Sequence, residues 1–239
     1  MKKSTKLSAF TLIELLIVIA VIGILAGMLF PAIKAVMSSA QGTRVANNGK
    51  QIVTAITSAN IDREAQSKGE IWPTASGNGG SGWGTANAYF ARLMGEGGKQ
   101  ELSGISLSMF AGGGVEAASD VKTLASGQNC IWNALEGIGG CDDNMPFIWT
   151  RNADGIVKGD FNTNQDGENG EADWSQKLNL AIKPFNADLV VLARKGASFQ
   201  VIKAKNLTPV AFLANSTNTE VNVLVANWTA SGGSSGGEF

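Results

Sequence analysis

The apolar positions of this chain are unevenly placed, and the first pattern they form is a block. From Leu15 to Ile33, nineteen residues (LLIVIAVIGILAGMLFPAI) carry no charge. At about 1.5 Å per residue a helix of that length reaches roughly 29 Å, close to the ~30 Å hydrocarbon thickness of a bilayer. Further on, the block gives way to helical spacing. Val45, Gly49, Ile52, Ile56 and Ala59 recur every three or four positions, with Asn47, Asn48, Lys50, Gln51 and Thr54 on the other faces. Together the two patterns predict one helix from Thr11 to about Asp62, apolar all round in its first half and amphipathic in its second. Pro31 removes one backbone hydrogen bond and predicts a bend or a local loosening there.

The pattern then loosens. Residues 66–128 are rich in glycine and small polar residues, with GNGGSGWG at 77–84 and Ala111-Gly112-Gly113-Gly114, and predict long loops. An interrupted apolar stripe at Ala88, Phe90, Ala91 and Met94 predicts a short helix from Ala86 to Met94, and Trp72-Pro73 anchors the chain's return from the long helix. The last third reads as strands, Leu189–Arg194, Phe199–Ala204, Val210–Leu213 and Val221–Trp228, with a turn at Lys195-Gly196 and another at Asn215–Asn218. Pro209 at the first residue of its strand suits an edge. Scattered tryptophans, Trp83, Trp132, Trp149, Trp174 and Trp228, read as core or lid pieces. The expected fold class is α+β: a long N-terminal helix packed on a small antiparallel sheet, ending in a flexible tail at 231–239.

Composition narrows the chemistry. The 239 residues include 19 basic and 20 acidic side chains and no histidine, so neither the electrostatic footprint of a nucleic-acid binder nor a histidine-dependent triad is available. The reading is no enzyme and no nucleic acid. Lys2, Lys3 and Lys6 precede the apolar block with no acid among the first nine residues, which keeps the N-terminus cytoplasmic and sends residues beyond about 35 across the membrane. Cys130 and Cys141, the two thiols of the chain, are separated by a glycine-rich stretch. In an oxidising compartment they are expected to pair, a staple contributing about 3 kcal/mol in the chain-entropy estimate.

Between Asp142 and Asp173 stand eight acidic residues against Arg151 and Lys158. Within that stretch Asp160, Asn162, Asn164, Asp166 and Glu168 alternate oxygen side chains with other residues, and Asp166-Gly167 supplies a sharp turn. The run resembles the DxNxNxDG loops of EF-hand-like and dockerin-like proteins, in which hard oxygens converge on calcium. A full EF-hand loop starting at Asn162 is absent, since its first position is asparagine and its twelfth is Asp173. Two readings stand: a calcium loop built from these five residues, and a solvated acidic loop.

Three readings also stand for the N-terminus. A secretory signal peptide needs a shorter apolar region followed by a small-residue cleavage site. A plain anchor explains the span and leaves Glu14 without a purpose, because an acid at mid-membrane depth costs about 2.5 to 3.5 kcal/mol. The third begins from Ala9-Phe10-Thr11-Leu12-Ile13-Glu14, a basic leader and a small residue followed by an aromatic residue and a glutamate just before the span. Here the sequence resembles the prepilin family, the type IV pilins and the pseudopilins of type II secretion. Gly23 and Pro31 stand where that family commonly has a glycine and a proline, and Ala9 stands where it usually has glycine. The resemblance covers roughly residues 1–65.

What it implies is a leader at 1–9, cut by a membrane-embedded prepilin peptidase between Ala9 and Phe10, with methylation of the new amine of Phe10. A transmembrane half-helix at 10–33, an amphipathic half at 34–65 and an extracytoplasmic domain at 66–230 follow. Glu14 then meets the cationic N-terminus of a neighbouring subunit, and Pro31 lets the helix adapt in a fibre. The implied function is a structural subunit of a type II secretion pseudopilus or type IV pilus-like filament. The implied partners are identical or homologous pilin-like subunits, the peptidase and an inner-membrane assembly platform. The alternative is a membrane-tethered extracytoplasmic binding module that uses this signal for export alone.

Overall fold

The computed structural model describes residues 12–73, 84–161, 173–186, 188–214 and 221–224. In chain order the elements are α1 (Leu12–Ala65), α2 (Ala86–Leu93), α3 (Val121–Ser126), β1 (Trp132–Glu136), β2 (Pro146–Thr150), β3 (Leu189–Arg194), β4 (Phe199–Lys203), α4 (Pro209–Leu213) and β5 (Asn222–Leu224). The chain divides into two compact units, Met1–Ala40 and Gln41–Phe239.

In the first unit the described chain is one continuous stretch of α1, helical through Pro31. Isoleucine and valine are indifferent helix formers in water. In hydrocarbon the helix is favoured because every backbone N–H and C=O must find its partner within the segment. The side chains of this stretch are exposed all round, from Leu12 (88 %) to Phe30 (62 %).

The second unit holds the core. Val45, Ala46, Ile52, Val53 and Ile56 of α1 are buried, and the helix ends where a polar cap takes over from packing. Ser67 adopts a left-handed φ of 55°, the Lys68 N–H reaches Arg63 O (2.9 Å) and the Ser67 N–H reaches Glu64 O (2.9 Å). This is the Schellman arrangement that satisfies the last carbonyls, here with serine in place of the usual glycine. The returning segment is held by Asn60, whose Oδ1 accepts the Ile71 N–H (2.6 Å), and by Tyr89, whose hydroxyl donates to Ile71 O (3.1 Å).

The five strands form one antiparallel sheet in the order β4-β3-β2-β1-β5. One face lies against α1. A Cβ on Gly49 would stand 2.8 Å from the Trp132 ring, and one on Gly42 would touch Val201 and Leu189. The helix therefore comes close to β1 because residue 49 has no side chain. On the opposite face Phe147 and Trp149 join aromatic contacts with Trp72, Tyr89, Phe161 and Phe212. With both faces covered, every described residue of β1 and β3 and all of β2 are buried, whereas β4 at the edge is mostly exposed.

The α+β class, the long helix, the helix at Ala86 and strands β3 and β4 match expectation. Three readings need correction. Val210–Leu213 is helix, not strand: Thr208 Oγ1 accepts the Ala211 N–H (3.1 Å) as N-cap and Pro209 takes the first helical position, where its missing N–H costs nothing. Residues 66–128 hold a second helix beyond the expected one at Ala86, α3, which Asp120 caps through the Thr123 N–H (2.7 Å). The third correction concerns the cysteines.

Cys130 and Cys141 are free thiols. Cys130 lies two residues before β1, and Cys141 Sγ donates to Gly137 O (3.7 Å) just past the other end of that strand. At ~3.3 Å per extended residue the length of β1 separates them by about 17 Å, far beyond the ~7 Å between Cα atoms that a disulfide tolerates. Spacing along the chain suggested closure, but the intervening residues form a strand. Burial pushes the Cys130 thiol up to about 12, so it resists thiol chemistry as well. Unfolded in denaturant without reductant, the protein is expected to titrate two thiols, and reductant is expected to leave Tm unchanged. A count of zero would restore the bridge.

Candidate assembly segment and acidic stretch

Glu14 sits in the first turn of α1 and is exposed, as are the apolar side chains that follow it. Its carboxylate lies where the helix dipole favours negative charge. The next charge along the helix is Lys34, whose Nζ lies 4.7 Å from the centre of the Phe30 ring. A lysine that folds its stem back along apolar surface while its ammonium stays at the rim marks the end of a hydrophobic run. Among the described residues α1 is one helix long and apolar enough to cross a membrane, by length and composition, and its apolar window has no burial inside the protein. Ala9 and Phe10 lie outside the described residues.

The acidic stretch has a different character. Asp160, the first of the five candidate calcium ligands, holds a cation already: Lys177 Nζ lies 2.9 Å from Oδ1 and 2.8 Å from Oδ2. Oδ2 also accepts the Val157 N–H (2.8 Å). Asn162, Asn164, Asp166 and Glu168 lie outside the described residues. Among the described residues no group of three His, Cys, Asp or Glu side chains is placed to hold a metal. Asp154 accepts from Asn179 Nδ2 (3.0 Å), and burial pushes its carboxyl above the usual range. Asp173 accepts the Ser175 N–H (2.8 Å), and that bond with the Ser175 hydroxyl holds its carboxyl low. Asp173 is engaged by a residue two places on, whereas Asp154 and Asp160 are engaged by residues 25 and 17 places further along the chain.

The buried cations of the domain serve the fold. Arg151 donates to Lys183 O (2.6 Å), Gln128 O (2.7 Å) and Cys130 O (3.0 Å), and Arg194 binds carbonyls at the end of α4. Burial lowers both guanidinium groups from their ordinary value. Neither arginine nor Lys177 is marked by any local motif, since each finds its partners through the folded chain.

These observations define a chain in which an unburied apolar helix, headed by one acid, leads into an α+β domain with its own core. Residues 6–30 match the prokaryotic N-terminal methylation motif, the prepilin-type cleavage and methylation signal, and at this end the chain is prepilin-like. The match takes in Ala9, Phe10 and Glu14 and ends one residue before Pro31. Comparison with curated proteins and with solved structures finds no match. The signal and the apolar helix together are consistent with an inner-membrane anchor.

Proposed function

We propose that this chain is a structural subunit of a type II secretion pseudopilus or type IV pilus-like filament. Prepilin peptidase removes residues 1–9, the domain beyond α1 stays outside the cytoplasm, and copies assemble through their apolar helices with help from an inner-membrane platform. One observation carries the reading: the first half of α1, apolar on every side and with no burial in its apolar window, opens on an acid and begins inside a methylation motif. Such a helix must be covered by lipid or by other helices. Once released from lipid, copies of the same segment are the surface that suits it, and the filament needs no enzymatic group.

Intact mass of the membrane-extracted protein tests the first step. The expected species begins at Phe10 and carries the mass of one added methyl group, and material sheared from cells contains the same species. A protein that retains Met1 and stays monomeric after extraction would instead be a membrane-tethered module.

A further inference from the structure

The oxygens around Lys177 form a cation site that the chain fills by itself. A lysine ammonium has three donors, and here all three are used: Asp160 Oδ1 (2.9 Å), Asp160 Oδ2 (2.8 Å) and Gly155 O (3.1 Å). The Trp174 ring closes another side, its centre 5.0 Å from Nζ. A bidentate carboxylate and a backbone carbonyl are the hard oxygen donors that calcium takes. The two chain segments are also tied by backbone, since the Gly155 N–H donates to Lys177 O (3.1 Å). That approach requires glycine, because a Cβ on residue 155 would stand 2.9 Å from Lys177 Cα. The side chains of Lys177 and Asp160 are 23 % and 16 % exposed, so the pair is largely withdrawn from water.

We propose that Lys177 is a built-in cation occupying the place of a metal at Asp160, so that Asp160 is a partner of the ammonium and not a calcium ligand. The carboxylate cannot serve both, because a divalent ion within ligand distance of both oxygens would displace the ammonium or be repelled by it. Holding residue 155 against residue 177 is then built into the chain's own side chains and does not vary with the calcium concentration around the domain. The inference does not depend on the filament reading.

The test uses the full chain in detergent, with Tm measured in excess calcium chloride and in excess EGTA for the wild type, Asp160→Asn, Lys177→Met and the double variant. Each single variant is expected to lower Tm by about 2–4 °C, and the double variant to fall little further, because the two side chains stabilise through each other. The calcium response of the wild type, whatever its size, is expected to be unchanged in Asp160→Asn. A response lost in Asp160→Asn would make Asp160 a metal ligand and overturn the proposal, as would additive losses in the double variant. Should Lys177→Met fail to fold, the comparison of wild type with Asp160→Asn decides alone.

Discussion

Replacing Glu14 by valine is expected to abolish filaments that can be sheared from cells while the amount of subunit in the membrane stays normal. Valine is the easier residue to place in hydrocarbon, where a carboxylate at mid-depth costs about 2.5 to 3.5 kcal/mol, so insertion has nothing to lose from the change. Assembly loses its charge pair. In the proposed filament the Glu14 carboxylate faces the cationic amine that cleavage creates at Phe10 of the neighbouring copy, and in an apolar medium that attraction repays desolvation only in one register. Removing it leaves helices that attract by packing alone and slide. Even ~1.4 kcal/mol per contact is tenfold in an association constant, and a filament repeats the contact at every subunit, so a loss of sheared material well beyond tenfold is expected. Unchanged shearing with unchanged membrane level would identify Glu14 as a headgroup-level bystander.

The second large effect lies in the globular domain. Arg194→Met is expected to lower stability by on the order of 3 kcal/mol, since the bonds lost involve a charged donor and leave carbonyls unmet. At this chain length that corresponds to a fall in Tm of about 6–12 °C. Arg194 is 6 % exposed and donates to Asn144 O (2.7 Å), Phe212 O (3.0 Å), Ala211 O (3.2 Å) and Gln200 Oε1 (3.0 Å). Two of these acceptors are carbonyls from the last turn of α4, where a helix has unpaired acceptors and its dipole favours a cation. Methionine keeps the packing stem and removes the donors, so the measured loss reports the hydrogen bonds. Arg194→Lys should fall between, because three donors on one nitrogen cannot cover four acceptors set around a planar fork. Thermal melting of the three proteins checks the order, and equal Tm values would show that water reaches these carbonyls.

Much of the fold was legible because its signals are local. Nineteen uncharged residues followed by a three-and-four repeat predict a helix in any context, and the short apolar runs on either side of the Lys195-Gly196 turn predict a hairpin, which the structure places between β3 and β4. Strands β1 and β2 were not legible. Their sequences, Trp-Asn-Ala-Leu-Glu and Pro-Phe-Ile-Trp-Thr, do not alternate, because α1 covers one face of the sheet and an aromatic layer covers the other. A strand buried on both sides has no polar face to betray its period. For α4 the signal was present in Thr208-Pro209, a cap followed by a first-turn proline, and it was outweighed by the short apolar run after it.

Sequence alone specifies the apolar end of the molecule: a run long enough to span a bilayer, its basic flank, Glu14 and the methylation motif. These are properties of consecutive residues, and their physics, transfer of a helix into hydrocarbon, requires no partner from elsewhere in the chain. The tertiary structure decided everything that depends on residues distant in sequence coming together. It separated Cys130 from Cys141 by the length of a strand, set Gly49 against Trp132, and gave Asp160 to Lys177. Pairings of that kind are chosen by the packing of the whole sheet, and no spacing along the chain encodes them.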